Sequence, residues 1–225
     1  VFGFFPISFI FGNFIINMNF LLFCLLGIFN LRSKILKFKF TFPLKIIFLL
    51  FIVVFISTSF SFAQSLYFGT YEYNNLIRLF KSIVFFRFFL MLIIIYLLCE
   101  YNFLNFKYFF YSAAFASIFV SVDIIFQYFF GYNIIGLREN LNSWEVPTHN
   151  AGFFGDEKIA GGFIQNFSFF SIFLIFFLLK KNKIKILATI FIICLLCMGI
   201  LLSGNRMPVL LFILGLMITF LMDWH

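Results

Sequence analysis

The segment Ser203-Gly204-Asn205-Arg206-Met207-Pro208 separates two apolar runs and carries the most suggestive charge in the chain. Pro208 suits the first turn of a helix. Arg206 then stands at the positive end of a helix dipole, where a cation is disfavoured by about 0.3–1 kcal/mol. An anion shared between the guanidinium and the free N–H groups of the helix start resolves that conflict. A phosphate or diphosphate matches both. The plainer reading is an interfacial arginine on a tight turn.

A second stretch is Gly152-Phe153-Phe154-Gly155-Asp156-Glu157-Lys158-Ile159-Ala160-Gly161-Gly162. Gly152 and Gly155 permit turns that other residues resist. Asp156 and Glu157 are expected at a helix N-terminus, where negative charge is favoured. Gly161 and Gly162 allow close helix packing. The stretch is either a well-capped helix start or a glycine-lined break whose carboxylates shape an outward-facing cavity, and both readings stay open. A third set lies inside apolar runs, where charge is costly and marks function. Asp123 has Gln127 one turn on, on the same helical face. Arg87 is expected at a similar depth, so the two are expected to pair or share a polar cavity. The bland alternatives are a structural hydrogen bond for Asp123 and snorkelling to the interface for Arg87. His149, beside Asn150, is a solvated loop residue, a phosphate contact or a base. Cys194 and Cys197 have C-x-x-C spacing with no second ligand pair, and read as buried small hydrophobes. No P-loop, zinc pattern or serine-hydrolase elbow occurs, and neither metal nor cofactor is expected.

The elements that position these residues follow from composition. The 225 residues are 64% hydrophobic and 11% charged, with mean hydropathy +1.12. Ordinary soluble domains carry about 25% charged residues, and a solvated surface has nowhere to put this much apolar side chain. The runs are continuous where barrel strands would alternate. The fold class is therefore all-α: a polytopic transmembrane helix bundle with about seven spans, near 14–30, 46–66, 83–99, 108–130, 159–179, 186–202 and 208–222. Residues 1–12 read as the tail of a helix, with a turn at Gly12-Asn13. The whole reads as a single transmembrane domain over 1–225, a fragment cut at both ends, with an outer loop at 131–158. The 44 Phe read as lipid-facing filler.

Charge sets orientation. Arg32, Lys34, Lys37, Lys39 and Lys45, then Lys107, then Lys180, Lys181, Lys183 and Lys185 fall on one side if every span crosses. Arg78, Lys81, Arg87, Arg138, Lys158 and Arg206 fall at or near the other. The crowded side is cytoplasmic by the positive-inside rule. The net charge of +8 is thus a topological signal, and a nucleic-acid partner is not needed.

Gly152–Gly162 followed one hairpin later by Leu201-Leu202-Ser203-Gly204-Asn205-Arg206-Met207 resembles the O-antigen ligase and O-antigen polymerase superfamily, which are bacterial inner-membrane glycosyltransferases. The resemblance rests on residues 150–165 and 202–208. It implies a lipid-linked oligosaccharide donor, a glycan on undecaprenyl diphosphate, presented at the periplasmic face. The acceptor it implies is a hydroxyl of the lipid A core or of another lipid-linked repeat. It also implies that Arg206 stabilises the diphosphate leaving group, with no nucleotide sugar or metal. Members often carry an arginine where this chain has His149, so Arg138 is the alternative second anion contact. The large downstream loop that supplies a histidine in ligases is not part of this chain. The competing expectation is a transporter or flippase for a lipid-linked or anionic solute, built from Asp123, Arg87 and the glycine-rich breaks. A non-catalytic envelope subunit is a third. The orientation is directly testable: reporter fusions at Lys181 and at Gly204 should give cytoplasmic and opposite-side signals respectively, and the reverse result would remove Arg206 from the outer face.

Overall fold

A computed structural model describes residues 1–38, 40–67, 73–136, 150–155, 157 and 159–223. Among them there is no strand. The helices are α1 (Phe5–Ser8), α2 (Asn13–Leu31), α3 (Phe42–Tyr67), α4 (Tyr73–Glu100), α5 (Phe106–Phe130), α6 (Ala160–Leu178), α7 (Asn182–Leu202) and α8 (Arg206–Asp223). The α2 to α7 helices are long and apolar enough to cross a bilayer, while the apolar stretch of α8, Arg206–Leu221, is shorter. The protein is a multi-pass helical membrane protein. Helices are the solution because hydrocarbon offers no partner for backbone N–H and C=O groups, and a helix satisfies them within one segment.

Two expected boundaries move. The third run was expected to start near residue 83, but α4 begins at Tyr73 and takes Arg78 and Lys81 into helix. Hydropathy marks where lipid begins, and a helix continues past that point wherever good formers such as Lys and Arg follow. Residues 1–12 are not one helix tail. They form a 3-10 turn, Phe2–Phe4, and the single turn α1. Both lie on α5 and α6: Phe2 stacks on Phe109 at 5.1 Å, and Phe9 sits 6.3 Å from Phe163 and 6.1 Å from Phe167. The turn at Gly12 has φ 92°, and α2 starts at Asn13.

The chain divides into two compact units, 20–104 and 1–19 with 105–225. In the first, α3 and α4 run antiparallel. Phe51 faces Phe85 at 4.8 Å, Phe55 faces Phe86 at 6.2 Å, and Thr58 Oγ1 donates to Ser82 Oγ at 2.9 Å. Gly27 of α2 admits Ile94 of α4, whose Cγ2 stands where a Cβ would be. Phe residues do more here than face lipid, since Phe23, Phe51 and Phe89 are buried. Lys34 lies over the Tyr101 and Phe103 rings at 4.3 and 4.7 Å. Such contacts hold a cation at an interface while its stem stays apolar.

In the second unit α5 is the central helix. Of its membrane window 44% is buried, against 17% for α7. Its inward positions are small: Ala113, Ala114, Ala116, Ser117 and Ser121 are all essentially inaccessible. Small residues let helix backbones approach where the hydrophobic effect offers no drive. Ser117 Oγ meets Ser171 Oγ of α6 at 2.7 Å. A Cβ on Gly199 of α7 would stand 2.8 Å from the Cβ of Ser121. Val120, Ile124, Phe163, Ile164, Leu196, Ile200 and Phe212 fill the remaining core. Cys194, expected buried, is exposed. It lies on the outward face of α7, away from the face that carries the buried Leu196, Gly199 and Ile200.

Two consequences are measurable as thermal stability in detergent. Gly199→Val should destabilise the protein by about 1–3 kcal/mol, because β-branched bulk is forced against Ser121. Ser117→Ala and Ser171→Ala should show a coupling near 0.6 kcal/mol in a double-mutant cycle.

Candidate functional site

At the end of α5 the chain leaves the helix through Gly131, left-handed at φ 74°, whose N–H donates to the Gln127 carbonyl at 2.8 Å. Irregular backbone follows, and its described parts are tied to the helices by a few hydrogen bonds. Ile134 N–H donates to Asp123 Oδ1 at 2.9 Å. Asn133 Nδ2 donates to the Gly152 carbonyl at 3.2 Å, and Gly152 N–H donates to Gln127 Oε1 at 2.7 Å. On the far side, Asn150 Nδ2 donates to the Leu202 carbonyl at 2.7 Å, one of the open carbonyls at the end of α7. Asp123 and Gln127, one turn apart on α5, thus clamp both limbs of the connection from α5 to α6.

Gly152 is required at this place. Its φ is 58°, and an added Cβ would lie 2.7 Å from Asp123 Oδ2 and 3.4 Å from Ile124 Cγ1. The 3-10 turn Gly152–Phe154 then seats Phe153 on Phe119 at 4.9 Å and Phe154 on Phe163 at 5.3 Å. Asp123 is fully buried, so it does not line an outward-facing cavity. Within its own unit it is bound by backbone: the Ile134 N–H donates to it from the loop. The Phe153 N–H faces the carboxylate as well, although Oδ2 itself closes no hydrogen bond among the described residues. Arg87 belongs to the other unit. It is exposed on α4, with its guanidinium over the Phe88 and Phe20 rings at 4.9 and 5.8 Å.

The expected capping of α6 by carboxylates is corrected. The helix starts at Ala160 with Ile159 as N-cap, and there is no acidic residue in its first turn. Glu157 lies two residues before the cap. It is exposed and accepts from Asn13 Nδ2 at 3.4 Å. The left-handed Gly155 (φ 60°) ends the preceding turn and delays the helix past the acidic pair. Gly161 does serve close packing, since Ser203 Oγ and Asn205 occupy the space of its missing side chain. Gly162 has open space instead.

That open space belongs to a groove of about 640 Å³ between the start of α6 and the start of α8. Arg206, Asn205 and Asn166 supply its polar groups, and Phe9, Phe167 and Met207 supply its apolar walls. Arg206 is exposed at the first position of α8, and Pro208 is third in that helix. Asn166 was legible in principle, as an amide inside an apolar run, yet spacing alone did not select it. Asn133 and Asn150 carried no local signal, because their partners are far along the chain. Arg138, His149 and Asp156 lie outside the described residues. A second groove, among α6, α7 and α8, is lined by apolar side chains with Thr189 and Thr219 and holds no charged group.

Comparison with protein-family models, with curated proteins and with solved structures finds no match. The family resemblance therefore stands on the residues of this chain alone.

The clamp has a measurable cost. Asp123→Leu leaves the Ile134 N–H without its acceptor and should destabilise by about 1–3 kcal/mol. Gly152→Ala, strained and crowded against Asp123, should do at least as much. Thermal unfolding in detergent checks both, and Asp123→Asn, which keeps an acceptor, should be milder.

Proposed function

We propose that the protein is part of a membrane glycosyltransferase of the bacterial inner membrane, of the O-antigen ligase or polymerase type. In this reading the groove beside Arg206 receives the diphosphate of a glycan carried on undecaprenyl diphosphate. The observation that supports it is the composition of that groove. A guanidinium and two amides share its wall with phenylalanine and methionine side chains, as suits a ligand that is anionic at one end and isoprenoid at the other. The size lies within the range of small-molecule sites, about 300–1,000 Å³.

In the proposed transfer the acceptor oxygen forms a bond to the anomeric carbon as the bond from that carbon to the phosphate oxygen breaks. The electron pair departs on the diphosphate. Arg206 and the free N–H groups at the start of α8 face the charge that grows there. Donors fixed in advance in a site of low dielectric stabilise such charge without reorganising. The hydroxyl proton needs a base. Glu157, exposed at the same end of the unit and two residues from the Ile159 that borders the groove, is the described carboxylate placed to take it.

Arg206→Lys keeps the charge but loses the planar fork. Binding of a polyprenyl diphosphate to the purified protein should weaken about tenfold or more, in line with about 1.5–3 kcal/mol for a charge-assisted hydrogen bond. Gly162→Leu should fill the groove and also abolish binding, while gaining helix propensity of about 1 kcal/mol. Unchanged binding in both variants would reject the groove as the donor site. Donor binding and membrane passage without glycan transfer by the complete protein would favour a transporter instead.

A further inference from the structure

We infer that the opposite, lysine-rich end of the second unit carries a binding site for an anionic glycerophospholipid, in the groove between the start of α5 and the end of α6. This site is independent of the Arg206 groove. Near the middle of the membrane the two helices touch through Ala113, Ala114, Ser117 and Ser171. Towards the lysine-rich end the contact passes to rings: Phe170 sits 5.4 Å from Phe109 and 5.0 Å from Phe110. Next to these rings lies a groove of about 350 Å³ between the two helices.

Its walls are two rows at one-turn spacing, Phe106 and Phe110 on α5 and Phe173 and Phe177 on α6, and Lys107 is its charged group. Phe106, Phe173 and Phe177 are exposed, so the groove opens sideways to lipid. An acyl chain suits those walls.

Charge selects the headgroup. Lys107 is the second residue of α5, and its backbone N–H is already capped by Asn105 Oδ1 at 3.0 Å. Its ammonium lies 5.8 Å from the Tyr111 ring. Lys180 and Lys181 follow the end of α6, and both are exposed. Lysines outnumber carboxylates at that end, where the sequence places Lys107, Lys180, Lys181, Lys183 and Lys185 and, at the end of α8, Asp223. Lysines stand at the positive ends of the α5 and α7 dipoles, where cations are disfavoured. A phosphodiester at the bilayer surface removes that imbalance, and basic pockets between spans on the cytoplasmic side suit anionic headgroups. A zwitterionic headgroup supplies no net charge to do so.

The test is native mass spectrometry of the full chain, extracted in mild detergent and offered equal amounts of phosphatidylglycerol and phosphatidylcholine. The intact protein should retain phosphatidylglycerol about fivefold over phosphatidylcholine, the worth of one lysine beside an anionic lipid. Lys107→Gln should bring that ratio close to one, while Lys183→Gln, at the same end but outside the groove, should leave it unchanged. Phe177→Ala should lower retention of both lipids alike. No preference in the intact protein, or an equal loss in the two lysine variants, would overturn the site in favour of diffuse surface charge.

Discussion

The hydrogen bond from the Gly152 amide to Gln127 Oε1, at 2.7 Å, expresses the constraint on which the second unit depends. Non-helical backbone at the edge of a bilayer must be satisfied by protein, because hydrocarbon cannot do it. Gln127 and Asp123 accept from the loop limbs, Asn133 joins one limb to the other, and Asn150 ties the second limb to the end of α7. Asp123, Gln127 and Asn133 are buried and Asn150 is half-buried, and the position of the segment leading into α6 follows from them. The groove beside Arg206 inherits its shape from that segment.

Packing in the same unit obeys a different rule from that of a water-soluble core. Lipid is as apolar as leucine, so burying leucine gains little. What α5 offers instead is a surface of alanine, serine and glycine-sized gaps, closed by Ser117 against Ser171 and by Gly199 against Ser121. At Phe109, Phe110 and Phe170 ring contacts join α5 to α6. The two grooves with a charged group have different origins: one lies at the vacant face of Gly162, the other beside the rings beyond the serine pair.

Charge divides the unit along its axis. Lysines collect at one end, around the starts of α5 and α7, while Glu157 and Arg206 mark the other. The same dipole argument applies at both ends, since each places a cation at a helix N-terminus. The proposed ligands differ because the neighbours differ. Arg206 has the amides of Asn205 and Asn166 beside it, suited to a ligand recognised by hydrogen bonds. Lys107 has rings that open to the membrane, suited to a lipid recognised by charge and chain.

Membrane insertion, helix number and the general place of each span were legible in the sequence, since uninterrupted apolar length has only one common solution in a bilayer. The lone Arg206 at a helix start was legible for a similar reason: local order determines helix ends. The fate of Asp123 was not. An intramembrane carboxylate gives no sign in the sequence of the loop amides it will meet, and only the return of residues 133–134 and 152 to α5 brings them to it. The roles of Asn133, Asn150 and Asn166 were hidden likewise, because each depends on a partner or surface contributed by a distant helix. Apolar periodicity reports a residue's solvent, whereas hydrogen-bond partners and grooves depend on which helices lie side by side, and that is decided by tertiary packing.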